Sequence, residues 1–280
     1  MVGLVLEGGT FRPIYSAGIM DAFLKAGIYL PYCVGVSAGI TDGVSYISRQ
    51  PERNLEILRR FRHDKRYIGF RNFIGSKSLF GLDFAYDELP NQLVPFDWDT
   101  YRRYEGKVLV GVTNALTGEG EFFDGQDLDA SCTMLRATCA IPLLFPPITI
   151  NGTPYYDGGL VNPIPFQKAL DDGCDKLIII LTRPDDYRKT LSAGTKLAAR
   201  RMKKRFPSLE KILLTRHESY NAAVESCRRL EKEGRALIFR PEYPLDSMEK
   251  DVRQIEKNYR MGFSLAERRM AEVQAFLQEN

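Results

Sequence analysis

The order of apolar and helical segments predicts an α/β fold. Short apolar runs typical of buried strands occupy residues 2–6, 33–36, 108–114 and 177–181. Segments typical of helices alternate with them, at 16–26, 40–48, 130–140 and 166–170. The chain has 280 residues and 44% hydrophobic content, which is enough for one complete α/β core.

The first predicted strand runs into a glycine-containing loop. The loop reads Glu7-Gly8-Gly9-Thr10-Phe11-Arg12-Pro13, and proline suits the first position of the helix that follows. Backbone N–H groups in such a turn point to one place, so they can hold a developing oxyanion or a phosphate. A plain tight turn is the alternative. The loop matches neither the Rossmann glycine pattern nor a P-loop.

The second strand ends in a serine between two glycines, in the order Gly35-Val36-Ser37-Ala38-Gly39. A helical segment begins at Ile40. A serine at this junction is typical of a nucleophile elbow, where a side chain at either glycine position would collide with neighbouring backbone. We therefore expect Ser37 to project into an open crevice.

A third candidate group is the carboxylate of Asp157, in the segment Tyr155-Tyr156-Asp157-Gly158-Gly159. It ends a predicted strand and precedes a helical segment at 166–172. Active sites of open α/β folds collect at such sheet edges, which makes Asp157 a candidate general base. An ordinary Asp-Gly turn is the alternative.

A nucleophilic serine needs a base, and histidine is the usual one. The chain has two histidines. His63 lies in a charged, predicted exposed stretch, and His217 lies in a long helical region at 209–233. Both are interpreted as solvated or structural, so Asp157 is the best-placed base for Ser37.

These three motifs, in this order and spacing, resemble those of the patatin-like phospholipases over about residues 2–182. The resemblance implies a three-layer α/β/α fold with a mostly parallel central sheet. It also implies a Ser-Asp dyad of Ser37 and Asp157, with the amides of Gly8, Gly9 and Thr10 as the oxyanion hole. Supporting positions would be Arg12, Gly35, Gly39, Gly158 and Gly159.

Two positions depart from the family pattern. Thr10 replaces the third glycine of the family loop and Pro13 replaces the last. Thr10 keeps its N–H, although a β-branched residue resists positive φ. Arg12 occupies the basic position of the family, where it would steady the loop or favour an anionic headgroup; a surface salt bridge is the alternative.

The resemblance implies a serine lipid acyl hydrolase that cleaves carboxylic esters of phospholipids or lysophospholipids through an acyl-enzyme on Ser37. General carboxylesterase activity, a Ser-His-Asp hydrolase and a non-catalytic lipid or nucleotide binder remain open alternatives. An aromatic-rich segment at 62–98 either walls an acyl pocket or packs on a core of its own. We expect no cofactor or metal, and hence independence of calcium.

Residues 1–185 are predicted to form the catalytic domain. Residues 186–280 are predicted as a mostly helical extension packed on it, with a packing helix at 259–276. From 188 to 216 there are ten Lys or Arg residues and one acid, Glu210. The densest cluster flanks Met202 and precedes Phe206, and comprises Arg200, Arg201, Lys203, Lys204 and Arg205. Such a patch would attract an anionic membrane, with a solvated helix face as the alternative and nucleic acid not expected.

No apolar run is long enough to span a bilayer, and the N-terminus has no signal-peptide pattern. The five cysteines are scattered without metal-ligand spacing, which indicates reduced thiols. We therefore expect a cytoplasmic protein that contacts the membrane at most peripherally.

Overall fold

The computed structural model describes residues 1–278. Its strands are β1 (Val2–Leu6), β2 (Tyr32–Val36), β3 (Lys107–Asn114), β4 (Gly120–Asp124), β5 (Ile148–Ile150), β6 (Thr153–Asp157), β7 (Lys176–Ile180) and β8 (Ala236–Phe239). They form one sheet in the order β5-β6-β3-β2-β1-β7-β8, and β4 also pairs with β3. Strands β3, β2, β1, β7 and β8 are parallel, whereas β4, β5 and β6 are antiparallel additions.

Helices cover both faces of this sheet. They are α1 (Ile14–Lys25), α2 (Ser37–Ile47), α3 (Arg53–Phe61), α4 (Phe70–Ser76), a π-helix (Phe84–Leu93), α5 (Trp98–Arg102), α6 (Thr133–Thr138), α7 (Phe166–Asp171), α8 (Ala193–Met202), α9 (Ser208–Lys232), α10 (Val252–Arg268) and α11 (Met270–Gln278). The predicted α/β fold with a mostly parallel sheet is confirmed.

Alternation along the central strands creates two apolar cores, one on each face of the sheet. In β1, Leu4 and Leu6 belong to the core that contains α1 and α10, and Val5 belongs to the core that contains α9. All three side chains are fully buried. A continuous apolar run is what a parallel strand covered on both faces requires.

The C-terminal part differs from the helical extension expected. Residues 236–239 form the edge strand β8, which pairs in parallel with β7. The helix expected at 259–276 is two helices, of which α10 begins after Asp251, whose Oδ1 accepts a hydrogen bond from Arg253 N at 2.9 Å. A short run of four residues carries too little periodicity to be read as a strand without its neighbour.

Helices α10 and α11 complete the core under the N-terminal half. Ile255, Tyr259 and Val273 lie in the same apolar cluster as Leu4. Helix α10 crosses α1 at Gly262, where any side chain would collide with the backbone of Tyr15. Among the helices within residues 1–278, none is both long and apolar enough to cross a membrane.

Candidate active site

Ser37 occupies the junction predicted for it. Strand β2 ends at Val36 and helix α2 begins at Ser37, with no residue between them. Ser37 has φ of 54°, in the left-handed region that costs an L-residue about 1–2 kcal/mol. Its N–H donates to Thr138 Oγ1 at 2.8 Å, which holds the strained residue in place. A strained backbone at this junction is the signature of a nucleophile elbow.

The flanking glycines are required by close packing. A Cβ on Gly39 would lie 2.5 Å from the carbonyl oxygen of Glu7, and a Cβ on Gly8 would lie 2.7 Å from Ser37 Cβ. A Cβ on Gly35 would lie 3.0 Å from Cβ atoms of Leu6 and Ile40. The Ser37 junction and the Glu7–Pro13 loop are therefore in contact.

The Glu7–Pro13 loop is fixed from its base. The buried Glu7 carboxylate accepts hydrogen bonds from Thr182 N at 2.6 Å and from the Tyr220 hydroxyl at 3.1 Å. Thr182 Oγ1 donates to the carbonyl oxygen of Gly8 at 2.9 Å. The loop is thus anchored to the end of β7 and to α9.

Thr10 takes the left-handed conformation that its β-branched side chain resists, with φ of 58°. Gly9 beside it has φ of 149°. Within residues 1–278, the N–H groups of Gly8, Gly9 and Thr10 donate to no backbone or side-chain acceptor. Three unengaged amides in one strained loop leave a place for an anionic oxygen.

Arg12 lies against this loop. Its Nε donates to Thr182 Oγ1 at 3.2 Å, and a Cβ on Gly9 would lie 2.5 Å from its Nη2. No carboxylate in the described part of the chain lies within ion-pair distance of it. Burial, with Arg183 nearby, lowers the pKa of Arg12. The alternative of a surface salt bridge is therefore wrong, and Arg12 packs as a loop-supporting residue.

Asp157 reaches Ser37 through strand register. Asp157 ends β6 and pairs with Val112 of β3, and the adjacent Gly111 pairs with Val36. Only β3 therefore separates Asp157 from the elbow. Because β6 is antiparallel to β3, Asp157 does not lie at the end of a parallel strand of the sheet.

The Asp157 carboxylate is buried and partly neutralised by its neighbours. Oδ1 accepts a hydrogen bond from Gly159 N at 2.7 Å. Burial raises the pKa of Asp157, and Arg216, the Ser37 hydroxyl and the Gly159 N–H oppose that rise. Arg216 on α9 also donates from Nε to the carbonyl oxygen of Gly159 at 3.0 Å. A carboxylate with a raised pKa is a stronger proton acceptor than a solvated one.

Gly158 and Gly159 form a 3₁₀ turn directly after Asp157. Gly158 packs against Gly111 so closely that a side chain would collide with the Gly111 carbonyl. The backbone at Asp157 also contacts the backbone at Ala140, since Asp157 N donates to the carbonyl oxygen of Ala140 at 2.8 Å. The apolar segment at 139–147 therefore lies beside Asp157.

Neither histidine belongs to this site. His63 is exposed, whereas His217 on α9 is half-buried, with Nε2 3.7 Å from Glu218 Oε1 and a buried Nδ1 that has no hydrogen-bond partner in the described residues. Neither one lines the pocket into which Ser37 opens. Across the described residues, no group of three or more His, Cys, Asp or Glu side chains is placed to hold a metal ion.

Ser37 opens into an apolar cavity of about 150 Å³. The wall is contributed by the loop at Phe11, by α2 and α3, by residues 67–96 and by residues 128–145. Its apolar lining includes Val44, Leu58, Phe80, Leu135 and Phe145. Both interpretations of the 62–98 segment hold, because Phe61, Phe84, Leu89 and Val94 also form a small core of their own.

Several residues that build the site gave no signal in the sequence. Thr138, Thr182, Tyr220 and Arg216 act on motif residues more than 50 positions away. Lys189 also faces this region, where burial and the charge of Arg216 lower the pKa of Lys189 to about 7. Isolated polar residues in unremarkable segments carry no local pattern that would identify such partners.

Fold and site together define an α/β protein with an elbow serine, a buried carboxylate and an apolar pocket. The chain belongs to the patatin-like phospholipase family, whose model matches residues 4–170. A second family model, the domain of unknown function DUF6363, matches residues 206–278. That second segment contributes Arg216 and Tyr220 to the site.

Curated relatives are similar over part of their length. The uncharacterized protein YjjU of Escherichia coli is 26% identical over 194 residues, covering 68% of this chain and 54% of YjjU. Lysophospholipase nte1 of Aspergillus terreus is 25% identical over 190 residues, covering 64% of this chain and 12% of that protein. Lysophospholipase NTE1 of Debaryomyces hansenii is 24% identical over 204 residues, covering 70% of this chain and 13% of that protein. The matched region is thus about half of YjjU and a small part of the two lysophospholipases.

Among solved structures, that of VipD from Legionella pneumophila is similar with a TM-score of 0.45 and 16% sequence identity. The match covers 95% of this chain and 66% of VipD.

Proposed function

We propose that this protein is a serine lipid acyl hydrolase that uses Ser37 as nucleophile and Asp157 as its base. The observation that carries the proposal is the position of Ser37. It has the strained backbone of an elbow, its hydroxyl lowers the pKa of the buried Asp157, and it faces an apolar pocket. Family membership supports the same reaction class.

In the first half of the reaction, Ser37 Oγ attacks the ester carbonyl carbon and its proton passes to Asp157. Negative charge then develops on the former carbonyl oxygen. The amides of Gly8, Gly9 and Thr10, which donate to no other group in the described chain, would stabilise that charge. The tetrahedral intermediate collapses, Asp157 returns the proton to the leaving alcohol oxygen, and the acyl group remains on Ser37.

In the second half, water replaces the alcohol. Asp157 accepts a proton from the water, whose oxygen attacks the acyl carbon. Collapse of this second intermediate breaks the bond to Ser37 Oγ, which recovers the proton from Asp157. The products are a carboxylic acid and the original enzyme.

The pocket supports a substrate with an apolar acyl chain. Its apolar wall can bury a hydrocarbon, and each buried methylene group contributes about 0.8 kcal/mol. Two relatives are named lysophospholipases. We therefore propose carboxylic esters of phospholipids or lysophospholipids as the substrate class.

Covalent labelling with a fluorophosphonate tests the activated serine. Attack by Ser37 Oγ displaces fluoride from phosphorus and leaves a phosphonyl group on the protein. Intact mass spectrometry should show one adduct on the parent and none on Ser37→Ala. Ser131→Ala is the matched control, because Ser131 is exposed and outside the pocket, and it should label like the parent.

If the folded parent protein neither labels nor turns over any carboxylic ester, the result would favour a non-catalytic lipid-binding function over the hydrolase function. Turnover of short water-soluble esters with none of phospholipid or lysophospholipid would favour a general carboxylesterase instead.

We also propose that the basic segment Arg200, Arg201, Lys203, Lys204 and Arg205 contacts anionic membranes peripherally. All five side chains are exposed. Met202 and Phe206, which are next to these cations in the sequence, are buried in an apolar cluster with Tyr156 and Leu160. The contact is therefore electrostatic, at roughly 1 kcal/mol per cation near the surface, and it should weaken with salt.

Co-sedimentation with phosphatidylserine vesicles tests this contact. Neutralising Arg200, Arg201, Lys203 and Lys204 to Gln should release the protein at 0.15 M salt. As the control, the exposed cations Lys65, Arg66 and Lys77, which are distant in the sequence from this segment, are neutralised to Gln. Unchanged vesicle binding by the first variant would exclude this segment as the membrane contact.

A further inference from the structure

One side of the largely apolar pocket carries polar side chains, among them Thr41, Arg53, Asn54 and a carboxyl group that the proposed mechanism does not use. Asp42 lies on α2 and lines the cavity together with Val44, Tyr67 and Leu135. Within residues 1–278, no hydrogen bond or ion pair reaches its carboxylate oxygens. The backbone carbonyl oxygen of Asp42 accepts a hydrogen bond from Asn54 Nδ2 at 3.0 Å.

The nearest cation does not satisfy this carboxyl. Arg53 also lines the pocket, but its Nη1 donates to Ser45 Oγ at 3.3 Å and its Nη2 to the carbonyl oxygen of Val94 at 3.0 Å. No ion pair joins the Arg53 guanidinium to Asp42 in the described residues, and Arg53 Nε has no hydrogen-bond partner there. Burial raises the pKa of Asp42 to about 8, although Arg53 lowers it, and Asp21 adds to the rise. Near pH 7 the group is therefore largely a neutral carboxylic acid, which both donates and accepts hydrogen bonds.

Asp42 is too far along the helix to serve the reacting atoms. It follows Ser37 by five residues, which is about 7.5 Å along the axis of α2. Asp157 approaches Ser37 from β6 instead. An acyl chain bound to Ser37 would pass Asp42 part-way along its length.

A hydrocarbon chain gives such a group nothing to bond. Burying an unsatisfied polar group costs about 1–3 kcal/mol, so a pocket built only for hydrocarbon would bind better with an apolar residue here. A hydroxyl group satisfies the site in both protonation states. It accepts from the neutral acid and donates to either form of it.

We propose that Asp42 binds a hydroxyl group carried in the middle of the acyl chain, so that the pocket prefers hydroxylated acyl esters to plain ones. This inference rests on the proposed function, because it places the acyl chain of the substrate in the cavity beside Ser37.

The test compares 4-methylumbelliferyl dodecanoate with the same ester carrying one hydroxyl group, at positions 5 to 9 in turn. For at least one hydroxyl position, kcat/KM of the parent protein for the hydroxylated ester should exceed its kcat/KM for the plain ester by about 10- to 100-fold. In Asp42→Leu that ratio should fall to one or below. Asp42→Asn, which keeps a donor and an acceptor, should retain most of the preference.

A binding measurement keeps the test independent of catalysis. In the Ser37→Ala background, the dissociation constant of each acid is measured by its displacement of a fluorescent fatty acid. At least one hydroxydodecanoic acid should bind at least 10-fold more tightly than dodecanoic acid, and Asp42→Leu should abolish the difference. Asp42→Ala is the second variant should Asp42→Leu fail to fold. Equal or weaker binding of every hydroxylated acid in the Ser37→Ala protein overturns the inference, even if ester turnover is found. Preferential binding without any turnover would instead contradict the proposed function and leave the hydroxyl site standing.

Discussion

The proposed catalytic strip and the pocket wall are built in different ways. The proposed catalytic strip consists of three short runs, 7–12, 35–39 and 157–159, each at the end of a strand. Its geometry lies in the backbone, as the positive φ of Thr10 and Ser37 shows. The pocket wall instead collects side chains from segments between residues 10 and 145, together with Met248.

The difference affects how each region should respond to substitution. In the strip, a substitution that adds even one side-chain atom collides with tightly packed neighbours, so its effect on the catalytic rate should be large. In the wall, each side chain supplies a small share of the apolar surface, so the effect should fall on substrate choice. Substitutions in the two regions can test this contrast.

Asp157→Asn should have the largest effect among these substitutions. Loss of the base is expected to lower kcat/KM for an ester by about 10² to 10⁴. Asp124→Asn is the matched control, since Asp124 also precedes a glycine but lies exposed with Oδ1 accepting from Gln126 N at 2.9 Å. Equal activity of the two variants would remove Asp157 from the mechanism.

Gly8→Ala should lower kcat by about 10² to 10³, comparable to loss of one oxyanion donor. The added Cβ would lie 2.7 Å from Ser37 Cβ, so the loop must shift away from the nucleophile. Gly194→Ala on α8 is the control, because the nearest atom to its Cβ is Ser192 Oγ at 3.8 Å. Steady-state kinetics that leave Gly8→Ala at parental kcat would show that the loop does not bind the oxyanion.

Val44→Phe should change acyl-chain preference more than chemistry. Val44 lies on the pocket wall, and a larger side chain there shortens the space for an acyl group. Activity on a dodecanoate ester should fall about 10-fold, with activity on an acetate ester within about twofold of the parent. Val44→Ile is the milder control. A parallel loss on both esters would mean that the cavity does not hold the acyl chain.

Asp42→Asn should alter how stability depends on pH. The pKa of Asp42 is raised from its ordinary value of 3.8 to about 8, so the folded protein holds a proton that the unfolded chain has lost between these values. This group therefore makes the parent progressively less stable as pH rises from about 4 to 8. Urea unfolding at pH 5 and pH 8 should show the variant gaining about 1–3 kcal/mol over the parent at the higher pH. Parallel curves would mean that Asp42 is not a buried acid.

Replacing His63 and His217 by Ala should have the smallest effect. The double variant should keep kcat/KM within about twofold of the parent from pH 5 to 9, because neither ring lines the pocket. The acid limb of the profile should lie at higher pH than the ordinary titration of an aspartate, since burial raises the pKa of Asp157 and activity needs its unprotonated form. Loss of that acid limb in the double histidine variant would instead support the Ser-His-Asp alternative.

The alternation of strands and helices was predictable because each apolar run and each helical segment is a local pattern. The strand at 236–239 was missed, since four residues acquire strand character only by pairing with β7. The burial of Met202 and Phe206 depends on tertiary packing for a similar reason. Both lie among cations in the sequence, and the packing of α8 and α9 buries them.

The sequence by itself determined the α/β class, the family resemblance and the identities of Ser37, Asp157 and the Gly8–Thr10 loop, because tight turns restrict which residues fit and therefore leave a local pattern. Only the tertiary structure decided that Thr138, Thr182 and Arg216 support them, and that Asp42 lies unpartnered in the pocket. Those relations depend on contacts between segments that are distant in the sequence. Such contacts produce no local sequence pattern from which they could be predicted.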